Sequence, residues 1–182
     1  DFPTMIEHFF SEEGLFMEGI SASWLVPNPY DFYQELDVEA GRSEKNNSLD
    51  QGNTNKFSYI GHLKNFFDLT DNATIEFGIS GLSGVNARDI GTTMAGVDLT
   101  YKWKPVQFNT TQSFTLQTEA LLCKTKSTTG ENVQTYGAYS FVEYQVEKRT
   151  FLGARFDYSA LPGDKSSEDR SASLLFRFQP TE

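Results

Sequence analysis

Apolar and polar side chains alternate along much of this chain, with the period of two that a β-strand imposes on its two faces. The pattern is clearest over residues 92–104, where one set of alternate positions is apolar or aromatic: Ala95, Val97, Leu99, Tyr101 and Trp103. The intervening positions are mostly polar, small or charged: Met94, Gly96, Asp98, Thr100 and Lys102. Similar segments predict strands at 15–26, 30–40, 56–67, 73–81, 92–104, 113–123, 136–146, 152–158 and 172–178.

The predicted strands number about nine and have roughly nine to twelve residues, the length that crosses a bilayer at a tilt. Strands of globular domains are usually nearer to about five or six residues. The connections are expected to alternate between short (27–29, 68–72, 105–110, 147–149) and long (42–55, 82–90, 125–132, 160–170). Such alternation is typical of bacterial outer-membrane barrels.

These features together predict an all-β fold, an antiparallel up-and-down transmembrane β-barrel. Bacterial single-chain barrels have an even number of strands, so about nine visible strands indicate part of a larger barrel. Residues 15–182 would supply the strands. Residues 1–14 are expected to form a short helical segment that ends at Gly14 and lies in the lumen or caps a rim.

Large aromatic residues fall close to the predicted short-turn end of the strands. They are Trp24, Tyr30, Phe66, Phe67, Trp103, Tyr144, Phe151 and Phe178. A girdle of aromatic rings at the level of the lipid headgroups would place them there. A general preference of aromatics for strands would give no bias toward one end.

Composition narrows the function classes. The net charge is −10, from 15 basic and 25 acidic residues, which argues against nucleic acid as a partner because phosphate binding needs clustered Lys and Arg. The single cysteine, Cys123, cannot form an internal disulfide. The chain opens without the basic region and apolar core of a signal peptide, which predicts a mature, trimmed or fragment start.

Five segments of the chain resemble a poorly characterised family of porin-like outer-membrane proteins from Gram-negative bacteria. The segments are SEEGL (11–15), GISASWLVP (19–27), HLKNFFDL (62–69), GVDLTYKWKP (96–105) and LGARFDYS (152–159). Some members are labelled zinc-regulated outer-membrane receptors or putative porins. The resemblance implies a β-barrel in the bacterial outer membrane, in contact with membrane lipid, and it brings no catalytic or ligand residues. Members are longer at the N-terminus and usually have at least one further strand, and this chain leaves no room for the plug domain of an energised receptor.

If the apolar faces meet lipid, the polar faces line the lumen. The predicted pore-lining residues are Glu35, Asp37, Glu39, Glu76, Asp98, Lys102, Gln117, Glu119, Glu143, Arg155, Asp157 and Arg177. Acidic residues outnumber basic ones in this set, which predicts a weak preference for cations. The alternative is that these groups pair with one another and stiffen the wall, as Arg155 and Asp157 could.

Catalysis and metal binding have little support. His8 and His62 are the only histidines, and neither lies in a metal-binding spacing. The segment GLSG at 81–84 lacks the spacing of a nucleophile elbow. The sequence therefore predicts no enzyme, no cofactor and no metal.

Three functions remain open at this point. The first is a porin-like barrel that passes small hydrophilic solutes or ions by diffusion, as a single chain or a homo-oligomer. The second is a soluble antiparallel β-barrel or sandwich that binds a small ligand inside. The third is a closed structural or adhesive barrel whose loops at 42–55 and 160–170 bind a partner. A need for detergent separates the first from the second, and conductance separates the first from the third.

Overall fold

The computed structural model describes residues 2–30, 32–43, 47–49, 51, 55–86, 88–108, 110–126 and 130–180, with the backbone alone at 165 and 166. The N-terminal segment contains one helix, α1 (Thr4–Phe9). The strands are β1 (Met17–Leu25), β2 (Tyr33–Ser43), β3 (Ser58–Thr70), β4 (Ala73–Val85), β5 (Gly91–Trp103), β6 (Ser113–Lys126), β7 (Asn132–Glu147), β8 (Thr150–Leu161) and β9 (Asp164–Phe178). A short 3-10 helix, Val106–Phe108, lies between β5 and β6.

All nine strands form one antiparallel sheet in the order β1 to β9, so that each strand pairs with its neighbours in sequence. β1 and β9 are the two edges of the sheet and are not hydrogen-bonded to each other. The all-β, antiparallel up-and-down fold with a short N-terminal helix is thereby confirmed.

The register gives every strand the same two faces. Leu82 pairs with Met94, Met94 with Cys123, and Cys123 with Thr135, so these side chains share one side of the sheet. We call this side the inner face, because α1 packs on it against β7 and β8. A single cavity on this face is lined by residues from β2 to β7, so the sheet curls around it. The buried apolar core lies on the inner face as well.

The connections fall at two ends of the sheet. The lower end has those at 26–32, 71–72, 104–112 and 148–149, and the upper end has those at 44–57, 86–90, 127–131 and 162–163. The predicted short–long alternation holds for the first four connections and fails for the last four. The long loop expected at 160–170 is only a turn at 162–163, because β8 continues to Leu161 and β9 begins at Asp164. The supposedly short connection after β5 instead contains the 3-10 helix.

Candidate functional site: the inner face

The inner face holds a cavity of about 470 Å³. Carboxylates dominate its polar lining, which includes Asp37, Glu39, Glu76, Asp98 and Glu119, together with His62 and Lys64. Its apolar lining includes Phe10, Leu15, Ile60, Leu82, Met94 and Leu121. The volume lies within the range of small-molecule sites, roughly 300–1,000 Å³.

The twelve residues predicted to line a lumen all belong to the inner face by strand register. Six of them line the cavity: Asp37, Glu39, Glu76, Asp98, Gln117 and Glu119. Glu35 lies beside the cavity on β2, and Lys102 lies nearer the lower end of β5. The other four lie apart from the cavity on β7, β8 and β9: Glu143, Arg155, Asp157 and Arg177.

Lys64 is the centre of an ion-pair cluster between β2 and β3. Its Nζ lies 2.5 Å from Asp37 Oδ2 and 3.2 Å from Glu35 Oε1. The Ser23 hydroxyl on β1 donates to Asp37 Oδ1 at 2.5 Å, and the Tyr33 hydroxyl donates to Glu35. One lysine therefore pairs with two carboxylates, which leaves this part of the inner face with a net negative charge.

His62 and Asp98 face each other across β4. His62 Nε2 lies 3.0 Å from Asp98 Oδ2, although the two residues are on β3 and β5. Gly78 is the β4 residue between them, and a Cβ atom at this position would collide with both side chains. The glycine thus leaves the room through which the histidine and the carboxylate meet.

A second group of paired charges lies on β7, β8 and β9. Arg177 Nη2 lies 2.6 Å from Glu143 Oε1, and its guanidinium carbon lies 4.1 Å from the ring centroid of Phe151. Asp157 is fully buried, accepting hydrogen bonds from Arg155 Nε at 2.9 Å and from Ser171 Oγ at 3.1 Å. These four residues therefore pair with neighbouring side chains, which is the alternative to lining a pore that the sequence left open.

Glu39 and Glu76 differ from the paired carboxylates. Neither makes a hydrogen bond or an ion pair with any described residue, and both line the cavity. Their charge is therefore directed at whatever occupies the cavity, since no cation of the wall neutralises it at close range.

The cavity ends at a small structure that we call the inner cap, formed by α1, Phe10 and residues 47–49 and 51. The last carbonyls of a helix have no partner within the helix. Here Asn47 and Ser48 supply the missing donors, and Ser48 Oγ donates to Phe9 O at 2.9 Å. Asn47 donates from its backbone N to Phe10 O at 2.7 Å and from Nδ2 to Glu7 O at 2.8 Å.

The inner cap buries apolar side chains against the sheet. The buried cluster consists of Met5, Phe9, Phe10, Leu49, Leu82, Met94, Leu121 and Cys123. Gly137 on β7 makes this packing possible, because a Cβ atom there would lie 2.6 Å from Met5 Cγ and 3.1 Å from Phe9 Cε2. The upper part of the inner face is therefore apolar and covered, whereas the lower part is charged.

Sequence reasoning expected a helical segment at 1–14 in the lumen or at a rim, but it missed the contribution of residues 47–49 and 51 to the inner cap. A signal was present, because Leu82, Met94, Leu121 and Cys123 are apolar residues on the alternate positions that hold Glu76, Asp98 and Glu119 further along the same strands. All four lie toward the upper ends of their strands, where an apolar segment could cover them. The residues that cover them came partly from 47–51, within a stretch predicted to be loop.

The outer face of the sheet is apolar. Among the large side chains exposed there are Ile20, Val38, Phe77, Ile79, Val97, Leu152, Phe156, Leu174 and Phe176. The exposed fraction reaches 90% for Leu174 and 78% for Ile20, on the two edge strands. Exposed apolar surface this extensive marks a contact with a partner or with a membrane.

Aromatic side chains border this apolar surface in two rows. The lower row contains Trp24, Phe67, Trp103, Phe114, Tyr144 and Phe178. The upper row contains Tyr59, Tyr136 and Tyr158, and the rings of the last two stack with centroids 5.2 Å apart. All eight aromatics predicted at one end do lie toward the lower end, but Phe66 and Phe151 belong to the inner face and Tyr30 to a connection.

Among the described residues, the outer face has no charged side chain between the two rows. Its charged residues lie at or beyond the rows: Glu18, Arg42, Lys124, Lys126, Glu168 and Arg170 toward the upper end, and Glu147 at the lower end of β7. Polar side chains between the rows are neutral, and two of them donate to backbone. Asn65 Nδ2 donates to Phe77 O at 3.2 Å, and Thr118 Oγ1 donates to Tyr139 O at 2.8 Å.

No family model, curated protein or solved structure matches this chain. In the part of the chain that the structure describes, no helix has the length and apolarity to cross a membrane. Within the same residues, no three His, Cys, Asp or Glu side chains are grouped so that they could hold a metal ion.

Proposed function

We propose that this chain forms part of a membrane-spanning β-barrel of the bacterial outer-membrane type. The observation that supports this most strongly is the uncharged outer face between two aromatic rows. An outward apolar band with aromatic girdles at both interfaces is how such barrels meet lipid. Two of the neutral polar groups within the band, Asn65 and Thr118, donate to backbone carbonyls, which suits a surrounding without water.

The distance between the rows fits a bilayer. Tyr136 and Tyr144 are both on the outer face of β7, and the strand between them is roughly 27 Å long at about 3.4 Å per residue. At the tilt of about 40° usual for such barrels, this length covers about 20 Å along the membrane normal. The apolar band of outer-membrane barrels is about 25 Å tall.

The inner face then lines an aqueous interior, and we propose porin-like diffusion of small hydrophilic solutes with a weak preference for cations. Five carboxylates line the cavity against Lys64 and His62. Glu39 and Glu76 contribute most to this preference, because their charges have no partner among the described residues. Walls of low dielectric constant focus the field of such groups into the interior.

The test is to fold the purified chain in detergent, insert it into planar bilayers and measure the reversal potential across a KCl gradient. The proposal predicts steps of conductance with a reversal potential of the sign that K⁺ selectivity gives. Preference for Cl⁻ would contradict the cation selectivity. A folded, monodisperse protein in buffer without detergent would contradict the membrane location and favour a soluble ligand-binding barrel.

A second function, a closed structural barrel in the same membrane, is favoured by the inner cap. The cap covers the upper part of the inner face, and Phe10 and Leu15 bound the cavity there. The two functions differ in conductance after removal of the cap. A variant that lacks residues 1–13, inserts into bilayers and still conducts no ions would support the closed barrel.

A further inference from the structure

The inner cap stands between the cavity and the upper end of the sheet. Phe10 of the cap and Leu15 line the cavity together with Leu82, Met94 and Leu121 of β4, β5 and β6. A solute that enters from the lower end therefore meets apolar side chains after the charged ones. Passage through the interior depends on whether this cap stays in place.

The part of the cap around residue 48 is bonded both to the sheet and to α1. Gln51 exchanges hydrogen bonds with the Ser43 backbone of β2 and donates to Ser58 Oγ of β3. Ser48 O accepts from Thr92 Oγ1 of β5.

Asn47 and Ser48 donate three hydrogen bonds of 2.7–2.9 Å to the carbonyls of Glu7, Phe9 and Phe10. These bonds unite α1 with the segment around residue 48. The bond from Ser48 to the Phe9 carbonyl is buried, and losing the donor of a buried carbonyl is costly.

Side chains alone hold α1 to the wall. Among the described residues, no backbone hydrogen bond joins the helix to a strand. Its polar link is an ion pair between His8 Nε2 and Asp169 Oδ2 of β9, at 3.3 Å. The remaining contact is apolar packing, in which Met5 and Phe9 lie in the buried cluster over Gly137 of β7, and the helix also contacts β8. Helix and wall can therefore separate without breaking any pairing between strands.

From this arrangement we propose that α1 is a releasable gate, and that Asn47 and Ser48, on the segment bonded to the sheet, are the latch that keeps it closed. The gating rests on the proposed function, because it concerns passage through the same interior. Loss of the latch bonds destabilises α1 in its seat, and the helix leaves the surface of β7 and β8. The two residues are positioning residues, which act on the interior only through the helix.

Cys123 provides a built-in reporter of the cap. It is the only cysteine of the chain, lies on the inner face and is completely buried in the cluster that includes Met5, Phe9 and Phe10. The reactive form of a cysteine is the solvent-accessible thiolate. Its rate of modification by a small cationic methanethiosulfonate therefore measures how often the cap is open.

The test compares the full chain, folded in detergent micelles, with the double variant Asn47→Ala/Ser48→Ala. We expect Cys123 of the double variant to react roughly ten- to thirty-fold faster, the size expected for losing one to two net hydrogen bonds. Asn28→Ala is the matched control, because Asn28 Nδ2 donates to Phe32 O at 3.1 Å in a connection at the lower end. This control should react at the wild-type rate, and equal rates for all three proteins would overturn the latch.

Conductance in planar bilayers distinguishes a failure of the gating proposal from a failure of the proposed pore function. Faster modification of Cys123 together with higher open probability of the double variant supports the proposal. Faster modification with unchanged open probability overturns the gate. If none of the proteins conducts, even without residues 1–13, the pore itself is disproved, and the Cys123 rates alone decide the latch.

A locked variant covers the case in which the double variant does not fold. His8→Cys and Asp169→Cys, in a Cys123→Ser background, place thiols on α1 and β9 where the ion pair now is. Bridging them with a short bis-methanethiosulfonate should lower the frequency of channel openings, and a reductant should restore it. An opening frequency that is the same before and after reduction would overturn the gate.

Discussion

Tyr136 and Tyr144 lie on the same face of β7, one in each of the two aromatic rows that border the outer surface. Between them, the outer-face positions of β7 are Ala138, Ser140 and Val142, none of which is charged. A band of this kind is tolerant of apolar exchanges but intolerant of charge, and the intolerance should be greatest halfway between the rows.

Val97→Arg tests this band. Val97 is 46% exposed on the outer face of β5, near the middle of the band. An arginine there should destabilise the protein in lipid by about 2–4 kcal/mol, because its charge would lie at the bilayer midplane. Urea titration of the protein folded into lipid vesicles measures the loss.

Thr93→Arg is the control on the same face of the same strand, at the level of Tyr59. At the interface an arginine costs about 0–1 kcal/mol. Equal losses for the two variants would argue against a bilayer around the outer face.

The unpartnered carboxylates of the cavity should set ion selectivity. A charge about 10 Å from the pore axis contributes about 0.4 kcal/mol in water, roughly a two-fold change in local cation concentration. The local anion concentration changes two-fold in the opposite direction, so Glu39→Gln and Glu76→Gln should each lower the ratio of cation to anion permeability about four-fold. Reversal potentials in a KCl gradient give this ratio, and Glu18→Gln, near the upper end of β1 on the outer face, should leave it unchanged.

Lys64→Met should shift selectivity in the opposite direction. The methionine keeps the length of the side chain but removes the cation that lies beside Asp37 and Glu35. We expect the ratio of cation to anion permeability to rise about four-fold, by the same Coulomb argument. Lys56→Met is the control, because Lys56 Nζ pairs with Asp89 at the upper end, 2.6 Å away; a shift of the same size there would assign the effect to overall charge.

Gly137→Val should displace the inner cap. The added side chain would meet Met5 and Phe9, and overpacking of this kind costs about 1–3 kcal/mol. The expected result is a faster reaction of Cys123 with a methanethiosulfonate, because the cap no longer fits against β7. Gly81→Val is the matched exchange, since a Cβ atom at Gly81 would have no neighbour within 4 Å; a comparable acceleration there would disprove the role of Gly137.

All nine strands could be predicted from alternation, but several of their ends could not. β6 runs to Lys126 and β9 begins at Asp164, beyond the alternating stretches. Alternation is enforced only where the two faces of a strand have different surroundings. Toward the upper end both faces of β9 bear polar residues such as Asp169 and Arg170, so the sequence resembles a loop although the backbone pairing continues.

For the candidate site, too, one part could be predicted from the sequence and another part could not. Because alternate residues of a strand face the same side, the alternation along β4 and β5 was sufficient to place Glu76 and Asp98 on one face of the sheet. The packing of Phe9 beneath Ser48 could not be foreseen, because it joins segments 39 residues apart through hydrogen bonds to backbone carbonyls. No periodicity in the sequence encodes a contact of that kind.

The open edges of the sheet have a geometric consequence. Hairpin connections reverse direction at every step, so the first and the ninth strands point the same way. Direct closure of β1 onto β9 would create a parallel seam in an otherwise antiparallel wall. A seamless antiparallel cylinder instead requires an odd number of additional strands between them. In a bilayer the backbone groups along both edges must find partners, so the direction of these two strands restricts what can complete the wall.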